Sequence, residues 1–218
     1  MTTPPPGLRE RKKQATREAL REAALRLAVE RGPDQVRVED IAEAAGVSPR
    51  TYNNYFASRE HAIVAAITAD REARVAAAVA ARPTGARLAD AVTEAVIEQY
   101  TNSGEREREV LLLITARTTL RDAFLDATAG IEAPLTAVIA ERLEGAGTYT
   151  ARVLAASVAA AVRIALEGWL RPGGTAGTAE GLGTGGLVTP SGSLPGRLRA
   201  ALAPLAPAFD AAEESPRP

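Results

Sequence analysis

Between Val38 and Arg59 the chain reads Val-Glu-Asp-Ile-Ala-Glu-Ala-Ala-Gly-Val-Ser-Pro-Arg-Thr-Tyr-Asn-Asn-Tyr-Phe-Ala-Ser-Arg, and few folds accept that order. Ile41, Ala42 and Ala45 recur at helical spacing. Glu39 and Asp40 suit the positive end of a helix dipole. Gly46 marks a sharp turn, because only glycine enters the left-handed backbone region without strain. Ser48 is a natural N-cap, and Pro49 then falls at the first helical position, where a missing N–H costs nothing. The stretch predicts two short helices, Val38–Ala45 and Pro49–Tyr55, joined by a tight turn. Phe56 ends the second and points back into a small core, which Tyr52 also enters. Ser58 caps the next helix, with Glu60 in its first turn. Arg50, Thr51, Asn53, Asn54 and Tyr55 stand where a core helix would carry aliphatic side chains.

The rest of the chain predicts an all-α protein. Of its 218 residues 46% are hydrophobic and only 4% aromatic, and the apolar content is mainly Ala, Leu and Val rather than strand-type runs. Without cysteine there is no disulfide, thiolate metal site or Cys nucleophile. His61 is the sole histidine, which removes two-histidine metal sites and a Ser-His triad elsewhere. No nucleophile–base pair or metal cluster is visible, so the expectation is a non-enzyme without cofactors. The N-terminus lacks a secretory apolar core and no apolar run reaches membrane-span length without a charge. A cytoplasmic protein that makes no membrane contact is expected.

In chain order, residues 1–8 read as a disordered Pro-rich tail and 9–57 as a three-helix unit. Residues 58–210 read as a larger helical body, with a flexible Gly-rich loop at 172–193, and 211–218 as a disordered tail. The first helix, about Arg9 to Glu30, has the stripe Leu20, Ala23, Ala24, Leu27 and Ala28 and stops at Gly32-Pro33, with Gly32 as a left-handed cap. The body reads as helices near 58–81, 86–100, 106–117, 120–143 (kinked or divided at Pro134), 151–170, and 194–203 or on to 209, interrupted at Pro204 and Pro207. Gly181, Gly183 and Gly186 spell GxGxxG, but no strand precedes and no helix follows, so this is a chance product of a Gly-rich segment.

Net charge is −1, yet from Arg9 to Arg31 eight basic side chains face four acidic ones. The basic excess lies beside the two-helix motif, which is the pattern of a nucleic-acid-binding end. A polar helix following a tight turn fits a major groove. There an amide from Asn53 or Asn54 can bond adenine N6 and N7, and Arg50 can bond guanine O6 and N7. Adjacent residues lie 100° apart on a helix, so only one of the two amides faces the bases. Thr51 and Tyr55 suit phosphate contacts that fix register. Lys12, Lys13 and Arg17 suit either the DNA backbone or a solvated face.

Ile41-Ala42, Ala45-Gly46-Val47-Ser48, Thr51, Tyr55-Phe56, Ser58-Arg59-Glu60 and Ile63 resemble the tetracycline-repressor (TetR) family of bacterial transcription regulators, and Ala19, Leu27 and Gly32 stand at the family's spacing. The resemblance implies a helix-turn-helix DNA-binding domain and an all-α ligand-binding and dimerisation domain, paired through its last two long helices. By it the DNA-contacting set is Arg37, Ser48, Pro49, Arg50, Thr51, Asn53, Asn54, Tyr55 and Arg59, with Arg59 at the family's usual Lys position. Two positions depart from the pattern. Arg37 replaces the usual Thr or Ser cap, and Asn53 stands where an aromatic is common.

The resemblance also implies a small-molecule effector among the helices of the body. Its pocket would be aliphatic, with Phe124 inward and Arg117, Arg121 and Arg163 available for an anionic group, so an acyl-CoA-like or other apolar anion fits. The function expected is that of a ligand-responsive regulator, a repressor, which binds a pseudo-palindromic operator as a homodimer. The alternatives are a helical protein–protein adaptor and, less consistent with the missing chemistry, an enzyme with a helical substrate pocket.

Overall fold

Leu20, Ala24 and Leu27 are buried, and the helix that carries them is the longest in the N-terminal part of the chain. The computed structural model describes residues 7–101, 114, 117–143, 148–170 and 193–214, and their regular structure is helical throughout. In chain order the helices are α1 (Leu8–Arg31), α2 (Val38–Ala44), α3 (Pro49–Tyr52), α4 (Arg59–Ala80), α5 (Leu88–Thr101), α6 (Thr118–Asp126), α7 (Glu132–Arg142), α8 (Thr148–Leu170), α9 (Leu194–Leu202) and α10 (Ala206–Glu214). The chain divides into two units at Thr68, inside α4.

In the first unit α1 packs on α2, and α2 on α3. Leu20, Val36, Ile41, Tyr52 and Ile63 are inaccessible or nearly so, and each such aliphatic side chain contributes about 1.5–3 kcal/mol by leaving water. Because Ala62, Ile63 and Val64 are buried too, the start of α4 belongs with this unit. Gly32 ends α1 at φ 81°, ψ 143°, so it is not the left-handed helical cap expected. Its positive φ with an extended ψ is a glycine conformation all the same. Pro33–Gln35 form one short 3-10 turn after it.

In the second unit α8 is the central helix, packed against α7, α9 and the 127–131 turn. Ala155 and Ala159 are buried on it, and their small side chains at i and i+4 let neighbouring helices approach. By length and composition Thr118–Arg142 and Tyr149–Leu170 could each cross a membrane. The first is interrupted by the 3-10 turn Ala127–Ile131, and half of the second is buried within the chain. Both therefore read as core segments.

Three long-range polar contacts close this unit. Arg142 donates to the carbonyl oxygens of Arg82 at 2.9 Å, Ala86 at 3.1 Å and Pro83 at 3.2 Å, which satisfies the turn after α4. The Glu213 carboxylate accepts from the Leu88 N–H at 3.2 Å, capping α5 from α10. Arg87 reaches Asp210 at 2.6 Å.

Several expected boundaries move. The break between α6 and α7 lies at Ala127–Ile131 and not at Pro134. Pro134 sits in the first turn of α7, where its missing N–H breaks no helical bond. Residues 211–214 are helical rather than a tail, held by buried Ala212 and by Glu213. Leu8, also expected in a tail, opens α1. The helix expected at 106–117, the Gly-rich loop with its GxGxxG, and the tails at 1–6 and 215–218 lie almost wholly outside the described residues.

Candidate nucleic-acid interface

The turn between α2 and α3 has the expected chemistry. Gly46 adopts φ 70°, where a Cβ would be strained. The Ser48 hydroxyl accepts from the Thr51 N–H at 3.1 Å, and Pro49 follows it in the first helical turn. Tyr52 is wholly buried and Phe56 nearly so. Their rings stand 5.8 Å apart and tilted. The Tyr52 hydroxyl donates to the Ser58 carbonyl at 2.7 Å, tying α3 to the start of α4. Burial, reinforced by the Glu60 carboxylate, pushes the Tyr52 phenol above its ordinary range, so it stays protonated and keeps donating.

α3 is shorter than expected. Regular α-helix ends at Tyr52. The chain then tightens, with Asn54 N–H bonding Thr51 O at 3.1 Å and Tyr55 N–H bonding Tyr52 O at 2.8 Å. Asparagine favours such an exit because its side chain competes for backbone groups. Asn53 and Asn54 therefore present their amides from a closing turn. Both are exposed, as are Arg50, Ser48 and Pro49, while Thr51 and Tyr55 are half-buried. The Ser48 and Thr51 hydroxyls lie 2.9 Å apart. One hydroxyl proton is used in that contact and the other remains for an outside acceptor. The outward face of α3 thus offers a guanidinium, two amides and hydroxyls, over a core of Tyr52 and Phe56.

Arg37 stands at the N-cap of α2 and is exposed. The Asp40 carboxylate accepts from the Arg37 backbone N–H at 3.0 Å. A guanidinium has no acceptor, so only this half of a capping box exists, and the Arg37 side chain points its charge outward.

Arg59 is placed differently from the rest of its predicted set. Its Nη1 donates to Val36 O at 2.9 Å and Asp34 O at 3.1 Å, and its Nε to Glu60 at 2.8 Å. These bonds staple the loop before α2 to the start of α4. Nothing in the local sequence signals this, since the carbonyls lie 23 and 25 residues away. Ser58 caps α4, its hydroxyl 3.4 Å from the His61 N–H and 2.9 Å from His61 Nδ1. Burial alone would raise the Glu60 carboxyl, but hydrogen bonds from Arg59, its own backbone and Ser58 outweigh it and hold the carboxyl below its usual value.

The residues expected to hold an effector do not all meet. Arg121 and Arg163 line an open cleft of about 300 Å³ with Asp122, Leu125 and Glu167. Two cations face two carboxylates there, and Arg163 is already bonded to Asp126 at 2.8 Å and to Glu167 at 3.1 Å. Phe124 is buried away from this cleft, its ring 5.7 Å from the Arg71 guanidinium, which also covers Tyr100 at 4.8 Å. Arg117 precedes α6, half-buried. Sequence reasoning passed over Arg71, a buried cation against two aromatic rings that a local pattern cannot reveal.

Comparison with known proteins agrees with this geometry. Residues 20–66 match the family described as bacterial regulatory proteins, tetR family. Over 80 residues the chain is 45% identical to the HTH-type transcriptional regulator TcmR of Streptomyces glaucescens, covering 37% of this chain and 35% of that protein. The match thus spans about a third of that relative's length. The fold is similar to that of Thermus thermophilus FadR, a TetR-family transcriptional repressor solved in complex with lauroyl-CoA. The TM-score is 0.51, with 21% identity over 93% of this chain and 98% of that one. Residues 20–66 thus match the tetR family of bacterial regulatory proteins, and the fold is similar to that of a solved member of that family.

Proposed function

We propose that the chain is a ligand-responsive DNA-binding transcriptional repressor that acts in the cytoplasm as a homodimer. The observation that carries this reading is the two-sided α3 with its closing turn, Tyr52 and Phe56 buried beneath and Arg50, Asn53 and Asn54 exposed outside. Arg50 and one of the two amides read base edges in the major groove. Arg37, Ser48, Pro49, Thr51 and Tyr55 face the sugar-phosphate backbone. Arg59 holds the loop before α2 in place for them.

Two such units engage successive major grooves about 34–36 Å apart. Dimerisation through α8 and the helices after it is supported by an uncovered apolar stripe. Tyr149, Val153 and Ile164 are 83%, 63% and 65% exposed and fall within about 60° of one another on the helix. Exposed Ala160 lies between them. The effector is a small, largely apolar molecule, of which an acyl-CoA-like or other apolar anion is the class favoured by the lauroyl-CoA complex of FadR. It releases DNA by binding more tightly to a dimer whose spacing no longer fits.

The test is a gel-shift series across salt on a duplex selected from a random-sequence library by the wild-type chain. Affinity should fall steeply with added salt. Asn53→Ala should relax sequence preference, and Tyr55→Phe should weaken binding on all sequences. If neither changes affinity or preference, α3 is not the reading element.

A further inference from the structure

α1 is longer than its core requires. Its first residue buried in the unit is Leu20, and Leu8 to Ala19 precede it with none buried among the described side chains. At 1.5 Å per residue this segment reaches about 18 Å beyond the packed part of the helix. The face it presents is unusual. At 100° per residue, Arg9 and Lys13 lie within about 40° of Leu20 and Leu27, in the middle of the sector that later turns fill with core side chains. Both are exposed. The face that packs the core thus turns cationic once it has passed the core.

Of the four carboxylate residues of α1, Glu10 stands at the edge of this face and two stand clear of it. Glu18 and Glu22 fall on the opposite side and are exposed, and Glu18 pairs with Arg21 at 3.4 Å. Among the described residues no carboxylate pairs with Arg9, Lys12, Lys13 or Arg17. A second contact fixes where this face leaves the unit. The Arg17 guanidinium lies over the Phe56 ring, 5.5 Å from its centroid, and Phe56 directly follows the turn of Asn53 to Tyr55. Lys13 and Arg9 then stand about one and two turns further along α1.

We infer that Arg9, Lys13 and Arg17 form a second, sequence-independent DNA-contacting element, a cationic stripe that holds the phosphates beside the segment read by α3. Arg17, seated on Phe56, registers the stripe against the reading element, while Lys13 and Arg9 carry the contact onto flanking backbone. The inference rests on the DNA-binding reading above and adds to it a part outside the helix-turn-helix. The occupant is the phosphate backbone of a duplex. Cations in single file suit a linear polyanion, and each neutralised phosphate adds to the salt dependence of binding.

The experiment compares two variants of equal charge change on a duplex selected by the wild-type chain, with fluorescence anisotropy across a salt series. Arg9→Gln/Lys13→Gln alters the stripe. Arg11→Gln/Arg26→Gln removes the same charge from the opposite side, more than about 100° from the stripe's centre. Glutamine keeps helix propensity close to that of Lys and Arg, and circular dichroism checks that both variants fold. The slope of log K against log salt should flatten by roughly 1.8 per protomer in the stripe variant and stay unchanged in the other. Trimming the base pairs that flank the selected site should flatten the wild-type slope toward that of the stripe variant. Equal losses in both variants, or none in the stripe variant, overturn the inference while leaving the reading by α3 intact. A wild-type chain that selects no duplex at all overturns both.

Discussion

Removing the Arg59 side chain separates a structural staple from a phosphate contact. In Arg59→Ala the Asp34 and Val36 carbonyls lose their shared donor and Glu60 loses its partner. A hydrogen bond involving a charged group contributes about 1.5–3 kcal/mol when buried. The Arg59 side chain is 33% exposed, so solvent screening trims that range, and the three bonds are coupled rather than additive. A loss of about 2 kcal/mol follows from charged-bond values reduced in this way. Arg59→Lys should recover only part of it, because one ammonium cannot span acceptors arranged for a planar fork. Urea unfolding followed by circular dichroism reads the stability, and an anisotropy titration across salt reads the DNA contacts. The staple predicts lower stability with an unchanged salt slope per protomer. An unchanged urea midpoint, with a slope reduced by about 0.9 per protomer, is the signature of a phosphate ligand and would refute the structural assignment.

Other consequences follow from the same contacts. Tyr52→Phe removes the donor to the Ser58 carbonyl and should lower urea-unfolding stability by about 1–2 kcal/mol; no change would mean that the bond adds nothing. The Glu60 carboxyl is held below its usual 4.5, so its contribution is complete above that value and is lost as pH falls through the depressed folded value. Glu60→Gln should therefore flatten the acid limb of a pH–stability curve, and an unaltered limb would contradict the assignment. Val153→Glu/Ile164→Glu places charge on the exposed stripe of α8 and should shift sedimentation from dimer to monomer, whereas an intact dimer would place the interface elsewhere.

The α2–α3 motif was legible because its determinants are local. Gly46, Ser48 and Pro49 act on their own turn, and the buried stripe of α1 follows from periodicity. The failures share a physical cause. Arg59 and Arg142 bind backbone carbonyls far along the chain, and a carbonyl is the same whatever residue carries it, so no sequence pattern marks the partner. Glu213 capping α5 is another such case. Arg163 looked available for an anionic ligand because Asp126 is 37 residues away, beyond any helical register. Pro134 marks the division of 120–143 only to within a few residues. A proline in a first turn and a proline at a kink look alike until the break before it, here at Ala127–Ile131, is known.

The central claim is that α3 reads DNA sequence. Its most direct test is the affinity of the wild-type chain for its library-selected duplex against a scrambled duplex of the same composition, at one salt concentration. Sequence reading by Arg50 with Asn53 or Asn54 predicts a preference of at least about a thousandfold for the selected duplex. Equal affinity for both would contradict it, leaving a chain that binds phosphate without reading bases.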